Sequence, residues 1–189
     1  MRIIGGQFRR RLIHSPDGAG TRPTTDRTRE AMFNIISSRL DLSGWLVADL
    51  YAGSGALGLE ALSRGADRSV FIEMNPAALS IARKNARELG VEHSCSFVKD
   101  EVVPWLRNQK VGSYGLILAD PPYDSPDLSR LADIALPVLH EGGLFVLEHD
   151  RNSTPENHPG IVLSRRYGKS AITVFSTVRT DSADTQPDS

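Results

Sequence analysis

Asp120-Pro121-Pro122-Tyr123 is the stretch of this chain best equipped for chemistry. It follows the apolar run Leu116-Ile117-Leu118-Ala119, which predicts a buried strand. Two prolines after a strand forbid both a helix and further ladder bonding, so the chain must turn rigidly. The turn gathers a carboxylate, a proline carbonyl and an aromatic ring. An exocyclic amino group on a nucleobase needs such a set: two acceptors for its N–H bonds and a flat surface for its ring. On its own the match is short, because Asp-Pro pairs commonly mark turns.

A second motif lies upstream, from Asp49 to Glu60. The apolar segment Trp45 to Leu50 runs into the turn Tyr51-Ala52-Gly53-Ser54-Gly55, and helix formers follow from Ala56 to Arg64. Glycines at 53 and 55 let backbone approach a ligand closely. The helix start behind them offers unpaired N–H groups and positive potential. Gly53, Gly55 and Gly58 also fit the dinucleotide fingerprint, with Glu73 near the distance expected of a ribose-binding acid.

Such turns serve both NAD and S-adenosylmethionine. Asp49, at the strand end, suits the cationic methionine end of S-adenosylmethionine and would repel a pyrophosphate. No hydride-transfer equipment or second catalytic domain is evident. Asp-Pro-Pro-Tyr has no part in a dehydrogenase and a direct one in amino methylation. The expected cofactor is therefore S-adenosylmethionine, held by Asp49, Ala52, Gly53, Ser54, Gly55, Glu73, Met74 and Asp100. Glu73 would accept from the ribose hydroxyls. Met74 would pack on adenine or fill a core gap. Asp100 would accept from the adenine amino group or cap the next helix. Asp120, Pro121 and Tyr123 are the expected catalytic residues. The first two accept the amine hydrogens and Tyr123 stacks on an extracted base.

The elements that must position these residues alternate regularly. Strands are predicted near 46–50, 69–73, 95–99, 115–119 and 143–148, and helices near 56–64, 76–89, 101–108 and 127–139. That alternation implies an α/β fold with a parallel sheet and helices on both faces. Val162–Tyr167 and Ala171–Val178 predict a terminal antiparallel hairpin. Residues 1–14 predict a short β-hairpin turning near Gly5-Gly6-Gln7, or two extended pieces. A helix capped by Thr24 or Thr25 should run to about Arg39, burying Met32, Ile35, Ile36 and Leu40, with Phe33 and Asn34 off the stripe. The expected division is 1–22 as basic hairpin and loop, 23–179 as the catalytic domain and 180–189 as a disordered acidic tail.

Composition narrows the class further. The 189 residues carry a net charge of −1, but residues 1–40 hold eight arginines against three acids. That segment is +5 and the remainder −6. Arginine suits bidentate phosphate contacts and stacking on bases. Arg2, Arg9, Arg10, Arg11 and Arg22 are therefore the expected RNA-binding set, the alternative being a solvated surface hairpin. The lone cysteine, Cys95, excludes an internal disulfide, and the five histidines are scattered. No metal is expected. A cytoplasmic monomer is expected, without a membrane span.

From Arg2-Ile3-Ile4-Gly5-Gly6 through Arg22-Pro23-Thr24-Thr25-Asp26-Arg27, Asp49–Arg64, Ile72-Glu73-Met74 and Asp120–Tyr123, the chain resembles the bacterial 16S ribosomal RNA guanine-N2 methyltransferases, which act on guanine 966. The resemblance implies a Rossmann-like class I methyltransferase with a seven-stranded sheet and an RNA-holding N-terminal hairpin. It implies that Thr24 and Thr25 face the methionine end of the cofactor. It also implies 16S RNA, in the assembled 30S subunit, as substrate and partner. Asp-Pro-Pro-Tyr occurs as well in DNA adenine-N6 methyltransferases. Those enzymes, and a non-catalytic RNA-binding assembly factor, are the alternatives.

Overall fold

The computed structural model describes residues 1–15, 26–122, 125–153 and 158–177. Arg22, Thr24, Thr25, Tyr123 and the tail beyond 180 lie outside the described residues.

The strands are β1 (Leu46–Leu50), β2 (Arg68–Ile72), β3 (Cys95–Val98), β4 (Tyr114–Ala119), β5 (Leu139–Asp150), β6 (Ile161–Tyr167) and β7 (Ser170–Ser176). They form one sheet in the order β3-β2-β1-β4-β5-β7-β6. The first five are parallel, and β7 lies antiparallel between β5 and β6. This is the expected Rossmann-like α/β sheet with a terminal hairpin. Helices α1 (Asp26–Ser37), α2 (Ala56–Ser63), α3 (Pro76–Leu89), α4 (Val102–Arg107) and α5 (Leu131–Ala135) cover it. Alternate side chains of the strands feed two apolar clusters. Val47, Leu116, Leu118 and Val146 join residues of α1, α2 and α3, while Ala48, Ile117, Phe145 and Leu147 join those of α4 and α5.

Helix α3 follows its sequence signals closely. Asn75 caps it by accepting from the Ala77 and Ala78 N–H groups, Pro76 opens it, and Gly90 ends it at φ 80°. The helix predicted over 127–139 is much shorter. Residues 126–130 form turns around an Asp127–Arg130 ion pair, α5 covers only Leu131–Ala135, and Leu136–Val138 tightens into a 3₁₀ turn. Pro137 lacks the donor that would continue the α-helix, and β5 begins at Leu139. Phe33 also departs from expectation. It is fully buried, with the Arg64 guanidinium 5.0 Å above its ring.

The N-terminal segment closes on itself through Ile3 N–H to Arg11 O, Arg10 N–H to Ile3 O and Ile13 N–H to Met1 O. Arg2 and Leu12 form a single β-bridge, and the turn spans Gly5 to Arg10. This hairpin is built into the body, since Ile3 and Ile13 are core residues. Gly6 has φ 74°, and a Cβ there would meet the Ser63 carbonyl at 1.8 Å, so the hairpin lies directly on the α2 backbone.

The fully buried Glu60 of α2 anchors the hairpin. Its carboxylate accepts from Ile4 N–H at 2.7 Å, Gly5 N–H at 2.8 Å and Arg64 Nε at 2.8 Å. Arg29 of α1, also fully buried, approaches it at 4.0 Å and donates to Asp26 and the Arg2 carbonyl. Burial lowers the Arg29 pKa, and the Glu60 and Asp26 carboxylates oppose that shift. Removing one partner from a buried charged network strands the others. Glu60→Ala should therefore destabilise the fold by about 3–5 kcal/mol, measured by urea unfolding, whereas an exposed α3 control such as Lys84→Ala should stay within about 0.5 kcal/mol.

Candidate active site

Strand register brings the acidic residues together. Leu50 pairs with Ile72 on one side and Ala119 on the other, and Ile72 pairs with Val98. The chain therefore leaves the sheet at one level at Tyr51, Glu73 and Asp120, with Asp100 one residue further along its own strand. The order reverses between β1 and β4, the switch point where open α/β sheets bind ligands.

The turn after β1 is held in an unusual conformation. Tyr51, Gly53 and Gly55 have φ of 58°, 53° and 79°. Ala52 N–H bonds the Ile72 carbonyl, and Gly55 N–H bonds the Ala52 carbonyl. A Cβ on Gly53 would meet only the Tyr51 carbonyl, at 3.9 Å, so this backbone faces open space. Gly58 works differently. A Cβ there would strike Phe71 at 2.5 Å, so the third glycine of the fingerprint serves helix–strand packing.

Glu73 is locked between two backbone donors. One oxygen accepts from Gly53 N–H at 2.9 Å and the other from Asn75 N–H at 2.8 Å. Each oxygen keeps acceptor capacity, which fits a ribose diol. Met74 is 63 % exposed, which removes the core-filling alternative and leaves its thioether available as an apolar surface. Asp100 is exposed and accepts from Glu101 N–H, while the N-cap of α4 is Glu101, so capping is not its role. Glu73, Met74 and Asp100 line a cavity of about 240 Å³, with Tyr51, Val102 and Ser125 among its other walls.

Asp49 is buried beneath this turn, with Oδ2 accepting from Gly58 N–H at 2.8 Å. Burial raises its pKa well above the usual carboxylate value. The Gly58 bond works against the shift, and the charges of Asp120 and Glu73 add to it. Asp120 is half-buried and Pro121 buried, and Ser125 N–H closes the loop onto the Pro122 carbonyl. Ser54 is buried, and its carbonyl accepts from Asn85 Nδ2 at 2.9 Å. The same Asn85 side chain pairs with the backbone of His14, tying the end of the hairpin to the glycine turn.

Tyr51 was not singled out by sequence reasoning. Its hydroxyl hydrogen-bonds Ser125, and burial raises its pKa. It ties the glycine turn to the loop carrying Asp120. The only sequence signal was its place inside the Asp49–Gly53 motif, because a positive φ at a tyrosine is visible only in three dimensions. In the hairpin, Arg2 pairs with Asp26, and Arg11 donates to the Glu88 carbonyl. Arg9 and Arg10 are exposed. Among the described residues no group of His, Cys, Asp and Glu is arranged to hold a metal, and no helix is long and apolar enough to cross a membrane.

Residues 1–176 match the protein family described as conserved hypothetical protein 95. The chain belongs to this family. Haemophilus influenzae ribosomal RNA small subunit methyltransferase D is 32% identical over 172 residues, spanning 83% of this chain and 84% of that protein. The solved Escherichia coli protein yhhF is 31% identical with a TM-score of 0.78, covering 93% of this chain and 96% of that one. An RNA methyltransferase of Salinibacter ruber, solved in complex with S-adenosyl-L-homocysteine, shares the fold at 20% identity and TM-score 0.63, covering 88% and 99%. The resemblance drawn from the motifs is borne out, and the chain is a class I methyltransferase of the small subunit methyltransferase D type.

Asp49 generates a prediction of its own. An acid whose pKa is raised by folding contributes most when protonated, and that contribution is lost as pH climbs from about 4 through the raised value. Asp49→Asn keeps an acceptor for Gly58 N–H and cannot ionise. The difference in melting temperature, variant minus wild type, should therefore increase as pH is raised from 4 to 8. A flat difference would show that the carboxylate is ionised at no cost.

Proposed function

We propose that this methyltransferase transfers a methyl group from S-adenosylmethionine to the exocyclic N2 amine of a guanine in 16S ribosomal RNA. By resemblance the target is guanine 966 in the small subunit. The observation that carries the reading is the row Tyr51, Glu73, Asp120 at one level of the sheet, with the cavity on one side and the Asp-Pro turn on the other.

The residues present fit the cofactor. Glu73, pre-oriented by Gly53 and Asn75, would hold the ribose hydroxyls, and Met74 would cover the adenine face. Asp100 would accept from the adenine amine. The open backbone of Gly53 would border the methionine end, with Ala52, Ser54 and Gly55 shaping the turn around it and Asp49 behind it, and by resemblance Thr24 and Thr25 would face it. When bound, S-adenosylmethionine supplies the methyl group and departs as a neutral thioether.

The chain's own part is alignment and electrostatics. The guanine amine is a poor nucleophile because its lone pair is delocalised into the ring. Asp120 and the Pro121 carbonyl would accept its two hydrogens, favouring a more tetrahedral nitrogen and stabilising positive charge as it develops. Tyr123 would stack on the base once it is drawn from its helix. No strong base is required, since a methylated arylammonium loses its proton readily. Arg9 and Arg10, exposed on the hairpin turn, would contact phosphates.

Asp120→Ala should keep cofactor affinity within severalfold and lower methyl transfer at least ~100-fold, because it removes a charge-stabilising acceptor. Near-normal turnover of undermethylated 16S RNA would sink the assignment. Glu73→Ala should instead weaken cofactor binding by about 2–3 kcal/mol, as charge-assisted hydrogen bonds disappear. Isothermal titration showing unchanged affinity would remove Glu73 from the site.

A further inference from the structure

The β6–β7 hairpin carries a cluster of cations that the proposed site does not use. Residues 158–177 hold Arg165, Arg166 and Lys169 and no acid. They belong to the 41–189 segment, whose net charge is −6. All three are exposed, and among the described residues none is in an ion pair. Elsewhere in the body many cations face a carboxylate, as in Arg64–Glu60, Lys84–Glu88, Arg87–Glu92 and Arg130–Asp127. Others outside such pairs include Arg68, Arg107 and Lys110, all exposed.

The cluster sits on the rim of the catalytic crevice. Arg165 and Arg166 pair with Ile172 and Ala171, which pair in turn with Glu148 and His149 at the C-terminal end of β5. β5 lies beside β4, so these side chains emerge at the level where Asp120 leaves the sheet. Three inter-strand spacings separate β4 from β6, a lateral distance of roughly 14 Å. That is the reach of a few nucleotides of extended strand.

The hairpin is also pre-organised. Arg151 N–H bonds the Lys169 carbonyl at 3.0 Å, and Arg151 Nη1 reaches the Gly168 carbonyl at 3.3 Å, fixing the turn. Inside, Ser164 Oγ, Thr173 Oγ1 and the buried His149 ring form a chain at 3.0 and 2.8 Å. The cations are therefore displayed on rigid β-structure.

The N-terminal hairpin lies on the other side of Asp120. It rests on α2 and α3, which connect β1, β2 and β3, whereas β6 closes the opposite edge of the sheet. We propose that Arg165, Arg166 and Lys169 form a second phosphate-contacting edge, Arg165 and Arg166 projecting from opposite faces of β6 and Lys169 from its turn. RNA held there lies beside the target base over Asp120, at the opposite edge of the sheet from the N-terminal hairpin. The inference rests on the RNA methyltransferase reading above and adds a second, separate grip to it.

Lone cations on a sheet edge are often only solvated, so position must be separated from charge. The triple variant Arg165→Ala/Arg166→Ala/Lys169→Ala would be compared with Arg68→Ala/Arg107→Ala/Lys110→Ala. The control cations are exposed at the opposite, N-terminal ends of the strands. The probe is an undermethylated 16S RNA transcript, with 30S particles in parallel. The hairpin variant should bind S-adenosylmethionine as wild type does and bind RNA roughly 10-fold or more weakly. Its log–log salt slope should be shallower by about two units, near 0.7–0.9 for each phosphate that is no longer neutralised. The control should match wild type. Equally weakened binding in both variants would make the effect one of net charge and overturn the proposal. So would weakening seen with particles and not with naked RNA, which would assign the surface to a protein partner. A hairpin variant that binds RNA like an active wild type overturns the second surface alone. A wild type that methylates no RNA overturns the reading beneath it.

Discussion

The site depends on the register of one strand. β1 pairs in parallel on both sides, and Leu50 sits opposite Ile72 and Ala119 at once. A slip of one residue in either ladder would turn the neighbouring strand's side chains to the opposite face. Asp49 would then lose Gly58, Glu73 would lose Gly53, or Asp120 would rotate away from both. The buried runs of β1 and β4 prevent such slips, because Val47, Leu116 and Leu118 must face one apolar cluster while Ala48 and Ile117 face the other. Hydrophobic sorting across the sheet thereby aligns polar groups at its edge.

Glu60 extends that alignment to the N-terminal hairpin. A carboxylate with no exposed surface would ordinarily be a heavy liability. Here it satisfies the backbone N–H groups of Ile4 and Gly5, and it balances Arg64 and Arg29 from two different elements. The hairpin is consequently a fixed part of the wall rather than a tethered arm. Asn85 repeats the device near the glycine turn, joining His14 to Ser54. Removing residues 1–15 would strip Ile3 and Ile13 from the core along with the arginines, so the arginines are separable from folding only by point substitution.

Much of this was legible in the sequence because the signals are local. Apolar runs ending in Asp49, Glu73 and Asp120 announced strand ends, and Asn75, Pro76 and Gly90 announced both ends of α3. What escaped depends on partners distant in sequence. Glu60 reads as an ordinary helix former until Ile4 and Gly5 are seen folded onto it. Phe33 falls off the helical stripe of α1, yet the Arg64 guanidinium covers its ring face. The region 127–139 carries a helical pattern, but Pro137 and the early start of β5 cut it short. Tyr51 gave no sign of its left-handed backbone, which non-glycine residues adopt rarely.

Asp49 shows how the site sets stability against function. An apolar residue there would bury well, whereas the carboxylate is held in a place that disfavours its charged form. A single backbone donor, Gly58 N–H, offsets part of that cost, and the neighbouring Asp120 and Glu73 increase it. The charges of Asp120 and Glu73 both disfavour ionisation of Asp49. Their arrangement becomes favourable when positive charge enters the crevice, as a sulfonium and an ammonium group would bring it. A cation held there would favour the ionised form of Asp49 and offset the charges of its neighbours.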